Sequence, residues 1–233
     1  MKKFPQRAAI AFLLLLVASR LNGQENSLAV SVRGSLTTGS QLFTNPNSPD
    51  PFERIEFVPI EDLLGGGVEV RYVFPETHFG LSLSAEYIRA TNNGITSQGA
   101  PIEDGYRVVP IELTAYFIIP VSGPTVDIYM GGGTGAYLGE RIYRLAGVEA
   151  NVVDRGTGFG IHVLAGTSFN LTDVIAVTGE MKFRDLQFKT SNAFSVERIV
   201  YNGGVITVGT EPFSSRVNTN GIVFQLGLML NIL

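Results

Sequence analysis

From about residue 27 onward, apolar and polar positions alternate with a period of two. Leu28, Val30, Val32 and Leu36 alternate with Ser31, Arg33 and Ser35; Leu64, Val68, Val70, Tyr72 and Phe74 with Gly65, Gly67, Glu69 and Arg71. Phe79, Leu81, Leu83, Ala85 and Tyr87 oppose Gly80, Ser82, Ser84 and Glu86; Val109, Ile111, Leu113, Ala115 and Phe117 oppose Glu112, Thr114 and Tyr116. Val126 to Leu138 is glycine-rich, and its facing stays open. Phe159, Ile161, Val163, Ala165 and Phe169 then face away from Gly160, His162, Gly166 and Ser168. Ile175, Val177, Met181 and Phe183 face away from Thr178, Glu180, Lys182 and Arg184, and the last segment sets Ile222, Phe224, Leu226, Leu228, Leu230 and Ile232 against Gln225, Gly227 and Asn231. A repeat of two is the signature of strands. The pattern predicts eight of them.

The connections sort by length. Three are short, through Pro75-Glu76-Thr77-His78, Pro120 to Thr125 and Asn170 to Asp173; four are long, about residues 37–63, 90–107, 140–156 and 186–219. Eight strands with short turns at one end and long excursions at the other predict an up-and-down transmembrane β-barrel, with both chain ends on the short-turn, periplasmic side. Alternation alone would also fit a soluble barrel with its apolar face inside. Three features turn the apolar face outward. Aromatics close both ends of the apolar stripes: Phe74, Phe79, Phe117 and Phe169 near the short turns, Tyr87, Phe159, Phe183 and Phe224 near the long connections. Phe159 to Phe169 spans about 33 Å of strand, or roughly 25 Å of membrane normal when tilted. The interior of an eight-stranded barrel holds only its own side chains, and the glycine-rich polar face fits that space better than the apolar one. The polar face also balances its charges, Glu69, Glu86, Glu112 and Glu180 against Arg33, Arg71, Lys182 and Arg184. An enclosed lumen requires that balance, because an unpaired buried charge costs several kcal/mol.

Composition narrows the class further. The 233 residues include 27 glycines, no cysteine and no tryptophan, and 16% are charged. Disulfide scaffolds, thiolate metal sites and a lipid-modified N-terminal cysteine are excluded. A net charge of −4 argues against nucleic acid as a partner. Lys2, Lys3 and Arg7 precede an apolar core from Ala8 to Ala18, too short to cross a bilayer but suited to an export signal. Cleavage is expected after Gly23, with Ser19 as the other position. Residues 24–233 then carry 13 basic against 21 acidic side chains, a charge of −8.

The stretches YMGGGTGAYLG (Tyr129 to Gly139), FGIHVLAGTSF (Phe159 to Phe169), VTGEMKFR (Val177 to Arg184) and the terminal GIVFQLGLMLNIL carry a family likeness. Over residues 27–233 the chain resembles the OmpA/OmpX-like eight-stranded outer-membrane β-barrels of Gram-negative bacteria. The resemblance implies insertion into the outer membrane by the barrel-assembly machinery. Family members usually end in a lipid-facing aromatic, whereas this chain ends Ile232-Leu233, so its assembly signal departs from the pattern.

The candidate site is the set of lumen charges, Arg33, Glu69, Arg71, Glu86, Glu112, Glu180, Lys182 and Arg184, with His162 on the same face. It reads as a structural plug of ion pairs or as a narrow polar pore whose pairs exchange partners. His78 is expected to be a solvated turn residue. Neither histidine has a serine two residues away, and no long connection contains a histidine, so no catalytic, cofactor or metal residues are assigned. The first long connection (NPNSPDPFERIEF) is acidic, with Asp50, Glu53, Glu56, Glu61 and Asp62. It reads as a solvated loop, or as one bridged to lipopolysaccharide by a divalent cation. In the last connection, Val196 to Tyr201 and Val205 to Val208 flank Asn202-Gly203, a type I′ hairpin signal, expected to extend the final two strands or to offer an edge to a partner protein. The functional expectation is a monomeric, non-enzymatic outer-membrane barrel, in contact with outer-membrane lipid and lipopolysaccharide, that stabilises the envelope or contacts surfaces through its long connections. The alternatives are a narrow channel for small solutes or apolar molecules, and an exported soluble ligand-binding barrel.

Overall fold

The computed structural model describes residues 27–120, 125–219 and 221–232. The expected export signal, residues 1–23, lies outside the described residues, as do Leu233 and most of the turn after Pro120. Eight long strands close into a ring: β1 (Ser27–Phe43), β2 (Phe57–Val73), β3 (Phe79–Ile95), β4 (Pro101–Ile118), β5 (Val126–Leu145), β8 (Gly156–Asn170), β9 (Ile175–Arg184) and β14 (Ile222–Asn231). Neighbours are antiparallel throughout, and β14 pairs back onto β1 from Ala29↔Asn231 to Thr37↔Val223. Closure gives each of the eight strands two neighbours in the wall. The first strand begins and the last one ends beside the short turns; Ile232 N donates to Leu28 O at 2.7 Å.

The facing follows the period-two pattern. Leu83, Leu113, Val163 and Leu228 point outward and are 51–61% exposed, whereas Glu69, Arg71, Glu112 and Lys182 point inward and are 1–6% exposed. β5 resolves the open facing: Tyr129 and Tyr137 turn into the lumen, Ile128, Met130 and Leu138 turn out. The predicted end-of-stripe aromatics lie on the outer face. Phe79 and Phe117 stack 5.0 Å apart beside the short turns, and Tyr87, Phe159, Phe183 and Phe224 are exposed toward the other end.

The four stretches expected as long loops are mostly strand. β1 and β2 stay paired up to Phe43↔Phe57, leaving 44–56 as the loop, which holds the short helix α1 (Pro51–Ile55). Asp50 caps α1 by accepting from Phe52 N at 2.9 Å. β3 and β4 stay paired to Ile95↔Pro101, and β5 continues to Leu145. In 140–156, β6 (Val148–Glu149) folds back on β5 and β7 (Asn151–Asp154) follows. In 186–219, β10 (Leu186–Ala193) continues β9, β13 (Phe213–Thr219) leads into β14, and these two pair with each other; β13 also pairs β1. The barrel therefore rises well beyond its aromatic rim as a collar.

The predicted hairpin exists, but it does not extend the last two barrel strands. β11 (Arg198–Tyr201) and β12 (Gly204–Thr207) form a separate two-stranded sheet. Its turn has φ +49° at Asn202 and +78° at Gly203, the two left-handed positions a type I′ turn needs. The extension role falls to β10 and β13. The hairpin instead lays Ile199 and Ile206 on a cluster of Leu145, Ala150, Phe194 and Phe213 at the top of the collar. Apolar packing, not strand continuity, fixes its place.

Candidate functional site

All eight predicted lumen charges meet in the barrel interior, in two electrically balanced groups. In the group nearer the short turns, Arg33 and Arg71 each contact both Glu69 and Glu180. Arg33 donates to Glu180 at 2.9 Å, and Arg71 donates to Glu180 at 2.8 Å and Glu69 at 3.0 Å. Tyr129 adds a hydroxyl donor to Glu180 at 2.7 Å. The Arg71 guanidinium lies against the rings of both Tyr116 and Tyr129, 4.7 and 4.5 Å from their centroids. In the second group Lys182 donates to Glu112 at 2.8 Å, and Arg184 joins Glu86 at 2.6 Å and Glu112 at 2.8 Å. Ser35 caps Glu86 with its hydroxyl. Each carboxylate is held by at least one cation, which offsets the cost of taking these charges out of water.

Glycines on β5 make the room. The register aligns Glu112↔Gly135, Thr114↔Gly133 and Tyr116↔Gly131. A Cβ at Gly135 would meet the Glu112 side chain, one at Gly131 the Tyr116 side chain and the Ala115 carbonyl, and one at Gly133 the Leu113 carbonyl at 1.9 Å. Glu112 and Thr114 therefore reach across β5 toward β8 and β9, whereas Tyr116 leans the other way, over Gly80, and its hydroxyl donates to Tyr72 O at 3.4 Å. Thr114 reaches His162 in this way, Oγ1 to Nε2 2.9 Å. Thr114, His162 and Glu112 thus stand in the order nucleophile, base, acid, a juxtaposition invisible to a search for serine beside histidine in sequence. Yet His162 Nδ1 lies 3.9 Å from Glu112, beyond hydrogen-bond reach, and the side chains are sealed in the lumen, with Glu112 held by Lys182 and Arg184. His78, by contrast, is exposed in its turn, its ring edge-on to Phe117.

Above the charges the interior changes character. Leu42, Ile60, Leu63, Ile88, Tyr106, Val108, Tyr137, Leu186, Phe188 and Val217 fill the collar's bore, and all are buried. Phe188 occupies the space that Gly139 leaves empty. The sequence carried a signal for this layer: beyond Glu86 the inward positions of β3 become Ile88 and Ala90, and those of β4 before Glu112 are Tyr106 and Val108. Higher still, Arg141 binds Asp104 through two bonds of 2.7 and 2.8 Å and Ser215 through another of 2.7 Å. An ionic layer, an apolar layer and a second polar layer are thus stacked along the axis.

The wall has an irregular seam between β8 and β9. The β8–β9 ladder ends at His162↔Arg184, and Asp185 N donates to Ile161 O at 3.0 Å. Beyond it β10 runs against the glycines of β8. The carbonyl oxygens of Lys189, Gln187 and Asp185 lie where Cβ atoms of Gly156, Gly158 and Gly160 would stand. On the outer surface at this point, Ile161, Val163, Phe183 and Asp185, with His162 and Arg184 behind them, line a notch of about 360 Å³.

The outer membrane protein OprG from Pseudomonas aeruginosa superposes with a TM-score of 0.60, covering 89% of this chain and 96% of its own at 12% identity. This chain has the fold of an outer-membrane β-barrel. Neisserial surface protein A also aligns with the barrel (TM-score 0.49, 12% identity, 89% of this chain and 99% of that one), as does the outer membrane protease OmpT from Escherichia coli (0.45, 9%, 90% and 97%). No protein-family description and no curated protein matches the sequence. The barrel's outward apolar belt accords with this fold, because a bilayer is the solvent in which a closed ring of strands can expose such a face.

Proposed function

We propose that this protein is a non-enzymatic, non-conducting barrel of the outer membrane that presents its collar and hairpin for contact with another surface. The observation that carries this reading is the closed interior: Arg33, Glu69, Arg71 and Glu180 span the bore near the short turns, and Leu42, Ile88, Tyr106, Leu186 and Phe188 fill it above. A hydrated ion would have to separate buried ion pairs and then cross a packed apolar layer. The contact surface is the β11–β12 hairpin. Ile199 and Ile206 anchor one face, and the cross-strand pair Val200 and Val205 stands exposed on the other. A two-stranded sheet with apolar side chains on its free face suits pairing with an extended segment of a partner protein. The Thr114–His162–Glu112 group, sealed in the lumen and poorly aligned, is assigned no catalytic role in this reading.

Planar-bilayer recording tests the reading. Purified barrel inserted into a neutral bilayer is expected to give no reproducible single-channel openings. Regular unitary steps that vanish when Phe188 is enlarged to Trp would overturn it. A second reading, a lateral path for apolar molecules, is favoured by the notch at the β8–β9 seam. Val163→Trp would fill that notch, and a fall in uptake of an apolar dye by proteoliposomes would favour the lateral path over the closed barrel.

A further inference from the structure

A row of arginines crosses the outside of the wall just above the aromatic rim. The register places Arg89 of β3 directly opposite Arg107 of β4, and Arg107 opposite Glu140 of β5. Arg155 continues the row, since Gly156 pairs Gly139 and Arg155 reaches Glu140 at 3.0 Å. All three arginines are exposed. Two residues below Arg89, Arg107 and Glu140 stand Tyr87, Val109 and Leu138, with Thr157 below Arg155 opposite Leu138. Two residues are about 6.6 Å of strand. That offset puts the guanidiniums in the headgroup layer when Tyr87 lies at the hydrocarbon edge, because that layer is roughly 5–7 Å deep on each side of the core.

The row is under-neutralised. Glu140 is shared by Arg107 and Arg155, and Glu103 by Arg89 and Arg144, the last also held by Glu149 at 2.9 Å, so four arginines face three carboxylates. Like charges directly opposite on one sheet face, as Arg89 and Arg107 are, oppose folding unless an anion covers them. Between the arginines and the belt lies a groove of about 410 Å³ lined by Tyr87, Arg107, Val109, Leu138, Glu140 and Arg155. Its upper end is cationic and its lower end apolar. A guanidinium fork matches phosphate oxygens, and the apolar floor matches an acyl chain.

We propose that this groove holds a phosphate-bearing lipid of the collar-side leaflet, its phosphate on Arg107 and Arg155 with Arg89 beside it, and an acyl chain along Tyr87, Val109 and Leu138. The inference rests on the barrel lying in a bilayer. A barrel that inserts but shows no lipid preference fails this inference alone, and one that does not insert fails the earlier reading.

The test uses the full chain in nanodiscs of phosphate-free digalactosyldiacylglycerol doped with either phosphatidic acid or diacylglycerol of the same chains, with retained lipid read by native mass spectrometry. Phosphatidic acid is expected to be retained at least about tenfold over diacylglycerol, the ratio one charge-assisted contact supplies. The preference is expected to vanish in Arg107→Gln/Arg155→Gln and to persist in Arg144→Gln, which alters the collar above the row. Equal retention of the two lipids by the unaltered protein would overturn the proposal whether or not the double variant folds. Displacement of the lipid by millimolar inorganic phosphate would also overturn it, marking the groove as a free-anion site. A preference unchanged in a folded double variant would place the lipid elsewhere and overturn it too.

Discussion

Glu180→Ala is expected to lower the unfolding free energy of the refolded barrel in detergent by about 3–5 kcal/mol, the cost of removing one partner from a buried ion pair. The loss is large because Glu180 is the common acceptor of Arg33, Arg71 and Tyr129, so its removal leaves two guanidiniums with Glu69 alone. A urea or guanidinium titration followed by heat-modifiable gel migration reads the change. The companion variant Glu180→Ala/Arg71→Met separates mechanism from mere packing. Removing one of the two stranded cations should restore part of the loss, whereas a cavity effect would deepen it. An unchanged midpoint in the single variant would mean that the ion pairs do not oppose unfolding. The network is not a reservoir of net stability, since a buried ion pair often does no better than apolar residues of similar volume. What it contributes is occupancy of the bore by groups that cannot leave singly.

Leu113→Arg is expected to destabilise the membrane-inserted barrel by about 2–4 kcal/mol, the cost of a charge on the lipid face near the bilayer midplane. Leu113 projects outward midway along the apolar stripe of β4, between Phe117 at one end and Val109 near the other. The same substitution at an exposed position of the collar, Ile95→Arg, should change stability by less than about 0.5 kcal/mol, as ordinary surface substitutions do. The contrast between the two positions, both well exposed in the isolated chain, measures the bilayer itself. Equal, small effects at both would mean that water, not hydrocarbon, covers the belt.

Much of the barrel was legible because a strand in a one-layer wall has only two environments. Alternation assigned Leu83 and Leu113 to one and Glu86 and Glu112 to the other, and the charge balance of four acids and four bases marked the second as enclosed. The same logic carried too little weight above the rim. The stretch 37–63 is rich in Pro, Asp and Glu and 186–219 in Thr, Ser, Asn and Gly, and both looked like loops, yet β1, β2, β10 and β13 run through them. Their side chains face the collar's bore on one side and water on the other, so polarity outside no longer signals the end of a strand. The hairpin was legible from Asn202-Gly203, because a type I′ turn is encoded in two residues. Its docking onto Phe194 and Phe213 was not, because nothing local says which surface an apolar face will meet.

The sequence by itself determined the strand period, the outward belt, the membership of the lumen charge set and the turn chemistry, since each depends only on a residue's neighbours along one strand. Only the tertiary structure decided who pairs with whom. Glu180 meets Arg33 and Arg71 across the bore, Thr114 reaches His162 over Gly133, and Arg89, Arg107 and Arg155 align into one row. Those partnerships come from register and closure, which bring together side chains such as Arg33 and Glu180, 147 residues apart, and leave no periodic trace in the chain.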